Sequence, residues 1–525
     1  MTPASHRATR FILFAACVLI LVCYGAMINR KGIISTDEGM RLAIVNGGAG
    51  YTPGAQSPAP TWSQVLHMNR HCAYQPLYLL LLNTLMRVTG SHDLVLFRSV
   101  GIGFLALCLL GLLTLSRAWE LVPRLFLLGL FSFNAYLFMH VLQIREYIAG
   151  VAFYIWSTWL VLHLDARRLE RPWRDIAWFA AYGVLLTLGF YLQSWVVFPA
   201  IAQGLFLLVR RTGGRLRFYA HLALSYLIVL SVTVPYLLAN PQKADVGRWG
   251  TETSQLWSQL STGFHLVLAG HLPGQHGFTD LLFWLWLGGI ALGPGAALGL
   301  GKSGAIDDDD RRSGRLVLLC SLAALAFQIG YALRVENLSL WPRYFVIHYF
   351  FLTWLIALGF NWLWTRRRDS AQPRAMRSLF AAVACLLLAV AAGSAVFQTR
   401  SYCRDPYLDT GFNNVSNWQS WTRDLNRVIR PDDVMLTNDY IFRATLTIQL
   451  PMANRQVLLG ELEYTDLREA RRVIYLEGAV SLAQRGALEA ALLGQGFPHL
   501  QEIPMYSVDG RSVLSDSRIL VFSRD

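Results

Sequence analysis

The sequence predicts a polytopic α-helical membrane protein, with about 11 transmembrane helices and outer juxtamembrane helices, that ends in a soluble α/β domain. Three observations carry this. Of 525 residues, 54% are hydrophobic and only 15% charged, against about 25% charged in a typical soluble domain. Apolar runs of spanning length recur from residue 11 to residue 397, separated by short arginine clusters. After 397 the composition turns charged, and short strand-like and helix-like runs alternate.

A spanning helix needs about 20 mainly apolar residues. The runs that qualify are 11–28, 98–116, 124–142, 147–164, 176–192, 195–209, 218–238, 281–300, 316–333, 344–364 and 378–397, with 195–209 the shortest. The first follows the basic start MTPASHRATR, lacks a small-residue cleavage site and is read as a retained helix. With a cytoplasmic N-terminus, the inner loops hold 21 Lys and Arg residues and the outer loops 11, the asymmetry expected of cytoplasmic loops. An odd number of spans then puts the C-terminal domain outside. Residues 76–89, PLYLLLLNTLMRVT, are apolar but too short to span. They are laid along the outer surface as a juxtamembrane helix. This gives a membrane domain over 1–397, whose first outer loop is 29–97, and an extracytoplasmic domain over 398–525.

In that last domain VMLT (434–437), RRVIYLEG (471–478) and RILVFS (518–523) read as strands. NWQSWTRDLNRVI (417–429) and SLAQRGALEAALLGQG (481–496) read as amphipathic helices. Such alternation argues for a small α/β fold. The net charge of +13 lies in clusters that membrane topology explains, so no nucleic-acid partner is expected. Its basic residues are almost all arginine, with only Lys31, Lys243 and Lys302 as lysines. That bias suggests a GC-rich bacterial genome and hence the bacterial inner membrane.

Three clusters of ionisable residues fall on the outer side. STDEGMRLA, just past the first span, places Asp37 and Glu38 side by side with Arg41 close behind. Ionisable groups at membrane depth are costly and tend to be functional. LQIREY (142–147) places Arg145 and Glu146 at a short outer turn, followed by Tyr147. SLWPRYFVIHYFF (339–351) places Arg343 and Tyr344 at the mouth of a span, and an arginine fork suits phosphate oxygens. The run Asp307–Asp310 falls in an inner loop and reads as a solvated acidic stretch. His265, His271 and His276 match no standard metal-ligand spacing.

These motifs, in this order, resemble the GT-C superfamily of polytopic glycosyltransferases, in particular the branch with protein O-mannosyltransferases and lipid A aminoarabinose transferases. TDEG (36–39) is similar to that family's acidic motif in the first outer loop. YQPLYLLL (74–81) approximates its HPPLYYLLL pattern, with Tyr74 and Gln75 replacing the histidine and first proline. LQIREY keeps Arg145 and Tyr147 of a QEARxY pattern but has Gln143 at the usual acid. PRY (342–344) is similar to a late-span motif.

The resemblance implies inverting transfer of a sugar from a polyprenyl-phosphate donor to a lipid, glycan or protein acceptor among the membrane lipids. It implies Asp37 or Glu38 as the catalytic base, and Arg41, Arg145, Arg343 and Tyr344 at the donor phosphate. Glu146, Tyr147 and Tyr78 would contact substrate. The resemblance fixes no cofactor, and leaves open a divalent metal ion at Asp37, Glu38 and Glu146. The rival class is a transporter or flippase, against which stand the lack of inverted repeats and of Gly/Pro-broken span pairs. Cys72 and Cys403 lie outside the spans, on the oxidising side, and are a candidate disulfide.

Overall fold

The computed structural model describes residues 3–28, 36–45, 60–69, 74–91, 93–166, 172–210, 215–239, 256–271, 273–274, 276–298, 308–334, 342–370, 372–404, 425, 427–437, 456–458, 462, 466–477, 482–504 and 518–524. The chain divides into two compact units. One comprises Met1–Arg30, Arg70–Tyr78 and Leu94–Pro406; the other comprises Lys31–Asn69, Leu79–Asp93 and Tyr407–Asp525.

The first unit is a helical bundle built on α1 (Pro3–Met27), α5 (Leu94–Leu115), α6 (Leu121–Ser132), α7 (Ala135–Leu142), α8 (Tyr147–Ala166), α9 (Pro172–Leu192), α10 (Val197–Arg210), α11 (Arg215–Ala239), α12 (Leu256–Ala269), α13 (Gly277–Leu298), α14 (Asp308–Arg334), α15 (Val346–Arg366) and α16 (Arg374–Arg404). Among the described residues nine helices are long and apolar enough to cross a membrane, or ten if the bent pair α6 and α7 counts as one span. Ser194–Val209 is apolar but shorter. The chain is therefore a polytopic integral membrane protein. α15 is the central helix, nearly all of it buried. It packs closely on α13, where a Cβ on Gly293 would overlap the Leu355 carbonyl oxygen. Small residues at such crossings let helix backbones meet where lipid supplies no hydrophobic drive.

The run 124–142, expected as one span, is two helices that meet at 66°. Asn134 causes the break. Its side-chain oxygen accepts from the Tyr136 amide at 2.8 Å and so caps α7. Several backbone groups freed at the bend find partners on other helices. Tyr349 and Tyr24 donate to the Phe131 and Ser132 carbonyls at 2.6 and 2.7 Å. Gln398 accepts from the Ala135 amide at 3.2 Å. A membrane interior tolerates a broken helix on that condition.

The run Asp307–Asp310, expected as a solvated stretch, is for the most part the first turn of α14, where carboxylates favour the helix dipole. Asp308 and Asp309 pair with Arg311 and Arg312 three residues on. Asp310 is buried: it accepts from Trp119 Nε1 at 2.7 Å and from Asn361 Nδ2 at 3.1 Å.

The second unit holds α2 (Thr36–Val45), α3 (Trp62–Asn69), most of α4 (Pro76–Thr89), and a five-stranded sheet with α17 (Leu482–Gly494). The strands are β1 (Val434–Thr437), β2 (Gln456–Leu458), β3 (Arg472–Glu477), β4 (His499–Pro504) and β5 (Arg518–Ser523), in the order β2-β1-β3-β5-β4. β1 runs parallel to β2 and β3, while β5 is antiparallel to β3 and β4. Leu488 and Leu492 of α17 join one core with Val473, Tyr475, Leu520 and Phe522. Arg472 and the buried Asp433 form an ion pair at 3.3 Å. The expected helix over 417–429 falls almost wholly outside the described residues, as does Cys72.

Candidate functional site

Tyr147 opens α8, and the Glu146 carbonyl accepts the first helical hydrogen bond, from Gly150 N at 3.1 Å. Glu146 is thus the N-cap, and the positive end of the α8 dipole lies at Tyr147. Arg343, Arg145, Glu146 and Tyr344 all lie within electrostatic range of the Tyr147 side chain. The Arg145 guanidinium carbon lies 5.8 Å from the centre of the Tyr147 ring. That of Arg343 lies 5.4 Å from the Tyr344 ring. Arg343 and Tyr344 belong to a 3-10 turn, Pro342–Phe345, that leads directly into α15. Two arginines and the N-terminus of α8 therefore lie around one tyrosine. Oriented backbone N–H groups and guanidinium forks together make a ready site for an anion.

The fold seats this patch on aromatic rings. His140 of α7 lies edge-on to Tyr147 at 5.0 Å and to Tyr136 at 4.5 Å. On the other flank Trp195 stacks on Tyr344 at 5.1 Å. Behind the turn, Phe345 is wholly buried and lies over Gly263 of α12, where a Cβ would overlap the ring. His140, Trp195 and Gly263 are positioning elements that the sequence reading missed. His140 and Trp195 sat inside or at the edge of apolar runs and were counted as span. The only local signal was Asn134, which breaks one of those runs.

The patch occupies one end of the bundle. The far end of α15 carries Trp364 and, just beyond it, Arg368, which donate to Glu120 at 2.8 and 2.6 Å. At 1.5 Å per residue the 21 residues of α15 separate the two ends by about 30 Å. Arg343 and Arg368 thus lie at opposite ends of α15.

Glu38 and Arg41 lie in the second unit. They stand three residues apart on α2, the spacing of one helix face, and both are buried. Asp37 is on the same helix; its side chain is outside the described residues. Asn83 of α4 donates to the Val45 and Pro60 carbonyls at 3.2 and 3.1 Å, which fastens the end of α2 to α4. α4 buries Tyr78, Leu79, Leu82, Asn83 and Met86 within the protein. Among the described residues no three His, Cys, Asp or Glu side chains are grouped to hold a metal ion. His265 and His271 serve as structural partners: His265 bonds Asp280 at 2.9 Å and the His271 carbonyl at 2.7 Å, and His271 bonds Ser401 at 3.1 Å.

No family model and no curated protein matches the chain. Solved structures do. ArnT from Cupriavidus metallidurans in the apo state superposes with a TM-score of 0.58 at 12% identity, covering 99% of this chain and 98% of that one. The same protein bound to undecaprenyl phosphate gives 0.56 at 13% identity over 99% and 98%. The archaeal oligosaccharyltransferase AglB from Archaeoglobus fulgidus gives 0.48 at 11%, covering 98% of this chain and 74% of that one. The chain has the fold of ArnT from end to end, and the fold implied by the GT-C motifs is the fold found.

Proposed function

We propose that this protein is a membrane glycosyltransferase that moves a sugar from a polyprenyl-phosphate donor to an acceptor hydroxyl, with inversion at the anomeric carbon. The observation that carries the proposal is the convergence of Arg145, Arg343 and the start of α8 on Tyr147, at the start of α15. That ArnT, which shares the fold, has been seen with undecaprenyl phosphate bound supports the same donor class here. The acceptor oxygen attacks the anomeric carbon while the bond from that carbon to the phosphate oxygen breaks. The electron pair leaves with the polyprenyl phosphate. Guanidinium forks and the N-terminus of α8 stabilise the charge that grows there, a kind of contribution that is often the largest in such reactions. The hydroxyl proton goes to a carboxylate, assigned from the TDEG motif to Asp37, a step worth about 10² to 10⁴-fold. Glu38, Arg41, Glu146 and Tyr78 are assigned to binding and orientation. The patch faces outward, and the protein is placed in the bacterial inner membrane.

The test is mass spectrometry of the purified protein for a bound polyprenyl phosphate, followed by turnover of polyprenyl-phosphate sugars in detergent. A retained prenyl lipid lost in Arg145→Gln/Arg343→Gln supports the proposal. Absence of both lipid retention and transfer, with transport of a polar solute in vesicles, would replace it with the transporter reading.

A further inference from the structure

A second lipid-facing feature lies at the other end of the bundle. Between the first half of α1 and the last half of α5 is a cleft of about 520 Å³, within the range of about 300–1,000 Å³ typical of ligand sites. Leu13 and Leu109, both buried, are among the residues of its wall, and the exposed Phe14 and Leu110 flank it. At one end stand Arg10, Arg117 and Arg124, and no carboxylate lines the cleft. The nearest acid in sequence, Glu120, is already engaged by Trp364 and Arg368. Arg124 is held in place by donating from Nη2 to the Leu113 carbonyl at 3.1 Å. The engagement of Glu120 by residues at the end of α15 puts this cleft about 30 Å from the Tyr147 patch.

We infer that the cleft binds an anionic phospholipid, with its phosphodiester at the three guanidinium groups and an acyl chain along α1 and α5. A soluble phosphate would meet the charge but have no use for the apolar wall. A neutral lipid would fill the wall and leave three arginines in the headgroup layer without an anion. Only an anionic lipid matches both, and basic pockets between helices are a known mode of headgroup recognition.

The experiment is native mass spectrometry of the full chain with phosphatidylglycerol or phosphatidylcholine of the same acyl chains. Wild type is expected to retain phosphatidylglycerol in preference. Arg10→Gln/Arg117→Gln, two exposed positions that leave the Arg124 contact intact, should weaken that retention about 30-fold, at roughly one charge's worth each. Arg374→Gln/Arg377→Gln, at the start of α16 and outside the cleft, should change little. Cys17→Trp fills the cleft without altering charge and should lose phosphatidylglycerol too, which covers the case of a double variant that fails to fold. Equal retention of the two lipids by wild type overturns the inference. So does an equal loss in the control pair, displacement of the lipid by inorganic phosphate, or full retention by Cys17→Trp.

Discussion

Gly263→Ala is the most informative single change to the proposed donor site, because it touches no substrate. The added Cβ would overlap the ring of Phe345. Phe345 cannot simply swing away: it is fully buried, with Phe264 at 5.3 Å and His348 at 6.0 Å. Overpacking of this kind typically costs about 1–3 kcal/mol, spent on shifting side chains and backbone. The shortest relief is a movement of the turn Pro342–Phe345, which carries Arg343. A misplacement near 1 Å in a group that positions substrate can cost about 10²-fold in rate. The variant is therefore expected to lose up to about a hundredfold in kcat/KM for the polyprenyl-phosphate donor, with a modest fall in melting temperature. Phe345→Leu makes room for the methyl group, so Gly263→Ala/Phe345→Leu should recover activity relative to Gly263→Ala alone. Coupling between contacting residues of about 0.5–3 kcal/mol is the usual signature. Wild-type kcat/KM in Gly263→Ala, or strictly additive effects in the double variant, would refute the claim that α12 sets the position of Arg343.

Four further outcomes are expected. Asp37→Asn should lower transfer by about 10² to 10⁴-fold while donor lipid retention by mass spectrometry stays near wild type; normal turnover would remove Asp37 from the role of base. Arg343→Lys keeps the charge and loses the fork, so kcat/KM for the donor should fall by at least tenfold, and an unchanged value would leave Arg343 as an interfacial anchor. Asp310→Ala removes the acceptor of two buried donors and should destabilise by about 3–5 kcal/mol, read as a lower thermal midpoint; a midpoint within error of wild type would contradict the assigned network. Burial pulls the pKa of His271 down to about 4 from an ordinary value of about 6.5. The unfolded chain then takes up this proton first as pH falls, so stability present above pH 6.5 should be lost between about 6.5 and 4 and level off below. His271→Gln should flatten that part of the melting profile, and a slope identical to wild type would assign it to other groups.

The spans were legible because hydropathy is a bulk property that each helix must satisfy alone. The bend between α6 and α7 was not legible, since its cause is one Asn134 and its compensation comes from Tyr24, Tyr349 and Gln398 on remote helices. In the C-terminal domain the three strands β1, β3 and β5 were found. They are the inner strands of the sheet and carry the β-branched and aromatic core. β2 and β4 were missed. Both are edges, and His499, Gln501 and Glu502 face solvent, which erases the apolar alternation that marks a strand. Asp310 was misread because a run of four acids reads as solvated until Trp119 and Asn361 are seen to converge on it.

The candidate site divides along the same line. Charged residues stand out in an apolar sequence, so Arg145, Glu146 and Arg343 could be picked at once. What the sequence lacks is any sign that two segments nearly 200 residues apart share Tyr147. That juxtaposition depends on α8 and α15 packing with their starts at the same end, a tertiary fact with no local signature. The rings and the glycine that hold the patch are also invisible locally: in a chain with 28 Phe, 21 Tyr, 17 Trp and 42 Gly, one more aromatic or glycine carries no information. Charges in a membrane protein are costly and so few, and each one found is informative. Packing residues are cheap and many, and only coordinates separate those that position a guanidinium from those that merely fill space. A search for function in such a chain does best to begin from its ionisable residues, and then to ask which buried aromatic and small residues fix their geometry. Here those are His140, Trp195, Gly263 and Phe345, none of which would draw notice by its own chemistry.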